Sequence, residues 1–126
     1  MPIYLRHYLR AYLLLPLAIY ACGESNFEPQ DVYPLVPPQI YTTWWTEVAA
    51  CTGTTAPFER VTWYEAGHLI ERDTGSDHVG AWHPPHTIYI HSNYLLYVEG
   101  VKHEMVHELL QTRDHSSDAF LRCAGV

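Results

Sequence analysis

His103, Glu104 and His107 are three residues of one short run, "KHEMVH", whose types and spacing could do chemistry. On a helix of 3.6 residues per turn, positions i and i+4 lie about 40° apart around the axis, so two histidines four apart point the same way. Their Cβ atoms then sit about 5–6 Å apart, which lets two imidazoles converge on one ion at about 2.0–2.1 Å if that ion is zinc. Glu104 flanks the pair, close enough to take a proton from a water at the ion without itself binding the ion. This spacing is that of two zinc ligands and a general base.

The run "VEGVKHEMVHELLQ" must be helical for that geometry to exist. Val106 and Leu110 lie on one side of the histidine pair and Met105 and Leu109 on the far side, so the helix is apolar over most of its circumference and should be buried. Two unpartnered histidines and a glutamate would be costly there, and a metal removes the cost. The expected helix runs from about Tyr94 to Gln111, capped by Ser92 or Asn93. "TIYI", Thr87 to Ile90, precedes it as a β-branched and aromatic strand.

Other elements are plainer. "IYTTWWTEVAAC" suits a first helix with Thr42 or Thr43 as cap, ended by the turn-rich "CTGTTAPF". "ERVTWYEAGHLI" alternates as a strand, a turn at Gly67 and a second short strand. "DTGSDHVG" is a loop, and "SSDAFLRC" allows one short helix capped by Ser116 or Ser117. The expected architecture is α+β, a small sheet packed on a central helix that carries the motif, plus an N-terminal helix.

The chain of 126 residues fits one domain with an appendage. Residues 1–22 have Arg6 and Arg10 ahead of a short apolar stretch and end in Ala21-Cys22, the pattern of a secretory signal. Ile19-Tyr20-Ala21-Cys22 also resembles a bacterial lipobox, with Tyr20 bulkier than usual, which implies lipid on Cys22. Residues 23–39 hold four prolines and read as a tether, so the folded domain is expected over 40–126. Removing residues 1–22 takes two of the seven Lys+Arg and none of the 14 Asp+Glu, shifting the net charge from −7 to −9. Lys102 is the only lysine and no basic stripe exists, which excludes nucleic acid as a partner. With Cys22 assigned to lipid, Cys51 and Cys123 form an even pair for a disulfide in an oxidising compartment.

"TIYI…VKHEMVHELL…DH" resembles the core of the zincin metallopeptidases, over about Thr87 to His115. More loosely, the order of lipoprotein signal, "CTG", "VTWY", HExxH and a terminal "F-x-x-C" is similar to small bacterial lipoproteins with a zincin-like motif. The resemblance implies a zinc-dependent hydrolase, a peptidase with His103 and His107 as ligands and Glu104 as base, and "TIYI" as an edge-strand rail for an extended peptide. The departures are specific. Leu110 and Arg113 stand where metzincins continue with glycine and histidine, and no methionine follows the motif. No long second helix offers a glutamate ligand, so the chain would be a minimal zincin.

A catalytic zinc usually takes three protein ligands. Glu108, Asp114, His115 and Asp118 are the nearby candidates for the third. His115 is favoured, because imidazole suits zinc and Ser116-Ser117 give a turn that could aim it. Asp114 is the runner-up, or a support for His115. His83, His86 and His91 read as polar loop histidines before a second site, and Tyr94, Tyr97 and Arg113 are the candidates to stabilise an oxyanion. The expectation is a monomeric envelope lipoprotein that binds the membrane through lipid and hydrolyses peptide or protein substrates. Its rival is a metal-binding envelope lipoprotein without catalysis.

Overall fold

A computed structural model describes residues 26–125. Cys22 and the signal-like segment lie outside the described residues. The fold is α+β, with a four-stranded mixed sheet and three helices. The strands are β1 (Phe27–Pro34), β2 (Thr62–Glu71), β3 (Gly80–His83) and β4 (Thr87–His91), and the helices are α1 (Ile40–Thr52), α2 (Val98–Leu110) and α3 (Ala119–Ala124). The sheet order is β1-β2-β4-β3. β1 and β3 run antiparallel to their neighbours, while β2 and β4 are parallel.

Three expectations about the strands need correction. The folded part begins at β1, not near residue 40, because Phe27–Pro34 pairs along β2 from Phe27↔Glu71 to Pro34↔Tyr64. Its prolines are tolerated because an edge strand has one side that needs no donors. β2 runs unbroken through Gly67, with no turn there; a side chain at that position would meet the Cβ of Asp31 at 3.1 Å. "TIYI" is not an edge strand. The Pro84-Pro85 turn folds "GAWH" back along it, so β4 lies between β2 and β3, and β3 is the edge.

The main core lies where Trp63, Trp82, Ile88 and Ile90 of the sheet meet Tyr41, Trp45 and Val48 of α1 and Val101, Met105, Val106 and Leu109 of α2. α2 starts later than expected. Residues 92–94 form a separate 3-10 turn, in which the Asn93 N–H donates to His91 Nδ1 at 3.1 Å. Gly100 lets α2 settle closely, since a Cβ there would lie 2.9 Å from the Tyr97 ring and 3.0 Å from Val79.

Cys51 and Cys123 form a disulfide across 72 residues, tying the last turn of α1 to α3. Arg122 reinforces the tie by donating to the Cys51 carbonyl at 2.9 Å.

Candidate metal centre

α2 carries His103 and His107 one turn apart, and the loop after it returns His115 to them. His107 Nε2 lies 3.2 Å from His103 Nε2, which lies 3.1 Å from His115 Nε2. The three ligand atoms all fall within 4.8 Å of one another. Tetrahedral ligands bound at about 2.05 Å are separated by about 3.3 Å, so the spacing suits zinc.

The tautomer agrees. His107 Nδ1 donates to the Thr112 carbonyl at 2.6 Å, which leaves the Nε2 lone pair facing the other two rings. Burial, then the neighbouring His107 and His115, pushes the His103 imidazole down to about 4. Burial also lowers His107, against the opposing hydrogen bond to Thr112. Both rings are thus neutral near pH 7, the form that binds metal.

The turn that delivers His115 is built by its neighbours. Asp114 accepts from the Ser116 N–H and the Ser116 hydroxyl, both at 2.8 Å, and its own N–H donates to Thr112 Oγ1 at 3.0 Å. The two bonds from Ser116 hold the Asp114 carboxyl below its usual range. Asp114 therefore shapes the loop, and His115, not Asp114, joins the histidine pair.

Phe120 was not anticipated from sequence. Its ring lies 5.0, 4.5 and 4.9 Å from the rings of His103, His107 and His115, making an apolar backing for all three. It sits on α3, three residues from disulfide-bonded Cys123. Replacing both cysteines by serine should therefore act twice. Stability should fall by roughly 2–4 kcal/mol, and zinc affinity about tenfold, the scale of losing a group that supports ligands. Thermal unfolding of the metal-free protein and a zinc titration check the two effects; unchanged zinc affinity would uncouple α3 from the centre.

Glu108, one of the candidates for the third ligand, is fully engaged elsewhere. It is completely buried, taking Arg60 Nε at 2.7 Å, His86 Nδ1 at 2.7 Å and Trp82 Nε1 at 2.6 Å. The same Trp82 stacks parallel to His107, 6.0 Å away. The network thus joins β3 to α2.

Glu104 is buried where β3 begins. A Cβ on Gly80 would lie 2.8 Å from Glu104 Cγ and 3.0 Å from Oε1, so a glycine is what lets this carboxyl rest against the strand. Burial pushes it up from the usual 4.5 to about 8. A divalent cation at the triad would pull it back down. Without metal, an acid whose pKa is raised on folding contributes stability present below about 4.5 and lost as pH rises through about 8. Metal-free Glu104→Gln protein should therefore be more stable than the native chain at pH 8, on the order of 3 kcal/mol, with the gap closing by pH 5. Urea unfolding at the two pH values tests this; a gap independent of pH would refute it.

A cavity of about 470 Å³ lies over the triad and Glu104, walled by β3 from Gly80 to Trp82, by Phe27, Glu71 and His78, and by Arg113. Of the three oxyanion candidates only Arg113 lines it. Tyr97 donates to Glu99 at 2.9 Å, and the Tyr94 ring packs against His91.

The histidines around "HPPH" do not come together. His83 lines a smaller groove beside Tyr89, His86 binds Glu108, and His91 joins His68 and Asp77. This last group also has ligand atoms within 4.8 Å. Its bonding differs from the triad's, however. His91 Nδ1 accepts the Asn93 N–H, so the ring proton is on Nε2, which faces Asp77 at 3.3 Å. His68 at 2.7 Å and the Leu69 N–H at 2.8 Å complete the set on Asp77 and, with His91, hold its carboxyl near 2. That cluster fastens the loop between β2 and β3.

No family model matches the chain, and neither does any curated protein or any solved structure.

Proposed function

We propose that this protein is a zinc-dependent peptidase. The observation that carries the reading is the convergence of three imidazole nitrogens, beside a buried carboxyl group, on one cavity. Three histidines are a donor set that suits zinc and leaves a fourth position open. Zinc bound there would polarise a substrate carbonyl and lower the pKa of water towards about 7. Glu104 would take a proton from the attacking water and pass it to the leaving nitrogen. The water oxygen joins the acyl carbon, the C–N bond breaks, and the products are a carboxylic acid and an amine.

β3 supports substrate binding in this reading. It ends the sheet next to the cavity, so its outer edge offers backbone groups to an extended peptide, the role expected of "TIYI" from sequence. Export to a cell envelope, lipid on Cys22 and a monomeric state belong to the same proposal; the disulfide agrees with an oxidising compartment.

The test is cleavage of a mixed peptide library by the purified protein, with chelator and then with zinc restored. Cleavage lost with chelator and recovered with zinc is the expected result. Zinc binding with no cleavage of any peptide would favour a metal-binding lipoprotein without catalysis, and no zinc binding would end both readings.

A further inference from the structure

Arg113 is the only lysine or arginine among the described residues that line the cavity, in a chain with twice as many acidic as basic residues. It stands directly after Thr112, whose carbonyl holds His107, and two residues before His115. The backbone on both sides of it is fastened, by Thr112 on one side and by the bonds from Asp114 to Ser116 on the other. Arg113 is therefore carried by the same backbone segment that aims two of the three imidazoles.

A permanent cation in such a cavity selects for an anion. Arginine stays protonated at any working pH, and its planar fork matches a carboxylate through two parallel hydrogen bonds. The anion that every unblocked peptide carries is its C-terminal carboxylate, ionised above about pH 4. The cavity, about 470 Å³, falls in the range of sites that take small ligands.

We propose that Arg113 anchors the free C-terminal carboxylate of a short peptide, so that the enzyme cuts near that terminus and not at internal bonds. This rests on the peptidase reading and adds the substrate class. Other lining residues offer contacts for the rest of such a substrate. Glu71, held by His78 at 2.9 Å, and the Phe27 ring, edge-on to His78 at 4.9 Å, add an acidic and an apolar group to the lining.

The experiment measures equilibrium binding to zinc-loaded Glu104→Gln protein, which does not consume its ligand. The probes are Ala-Ala-Phe and its C-terminal amide, at pH 7, read by calorimetry. The free acid should bind about 10- to 100-fold more tightly than the amide, the range for hydrogen bonds to a charged group. Adding Arg113→Gln should remove that preference with zinc content unchanged. Arg113→Lys, which keeps the charge but not the fork, should retain part of it; if the glutamine variant loses zinc, the lysine variant decides, and a preference undiminished by lysine refutes the fork. Equal binding of acid and amide to the Arg113 protein would overturn the proposal, as would a preference that survives Arg113→Gln, since zinc or His78 would then hold the carboxylate. Turnover separates the two levels of inference. Chelator-sensitive cleavage of peptides blocked at both ends, as fast as of free ones, leaves the peptidase reading standing and ends this one. No chelator-sensitive cleavage at all ends both.

Discussion

Zinc-loaded Glu104→Gln protein is expected to keep its metal and to lose peptide hydrolysis about 1000-fold, within the range for removing a general base. The two halves of that result come from different parts of the structure. Metal retention follows because the atoms that could hold an ion belong to His103, His107 and His115, and Glu104 is not in that group. The loss follows because glutamine fills the same space against Gly80 but cannot accept and hand on a proton. Single-turnover kinetics and metal analysis on the same sample check both. Full turnover by the glutamine variant would remove Glu104 from the reaction. Loss of zinc together with activity would make Glu104 part of the metal's own environment.

Much of this site was legible because it is local. The i, i+4 spacing of His103 and His107 needs only a helix, and α2 is one over Val98–Leu110. The cysteine pair needed only counting, once Cys22 was set aside. The third histidine was legible as a residue type in a turn, while the bonds that hold the turn, from Asp114 to Ser116 and from His107 to Thr112, were not. What escaped is nonlocal or short. β1 carries Pro29 and Pro34, which read as tether, and only its pairing with β2 makes it a strand. β3 has four residues, too few for a period, yet it replaces "TIYI" as the wall of the cavity. Glu108 meets Arg60 across 48 residues, and Phe120 is one aromatic in a polar tail. A second glutamate among the apolar residues of a helix expected to be buried was the one available sign of the Glu108 network, since such a charge demands partners.

The assignment of the third ligand predicts a ranking of two neighbouring variants. His115→Ala should weaken zinc binding by at least about 100-fold, because it deletes a donor, while Asp114→Ala should cost about tenfold or less, the lower end for groups that only support ligands. His115 Nε2 is 3.1 Å from His103 Nε2, whereas both Asp114 oxygens are taken by Ser116 at 2.8 Å. Removing the aspartate therefore loosens the turn without taking an atom from the ion. Ser116→Ala gives an internal control: it deletes one of the two bonds to Asp114 and should weaken zinc less than Asp114→Ala does. Competition against a chromophoric chelator at pH 7.5 measures the series. The order His115 above Asp114 above Ser116 supports a three-histidine centre. A larger loss for Asp114→Ala than for His115→Ala would mean that the loop turns its carboxylate to the metal, and that His115 is a neighbour of the site and not part of it.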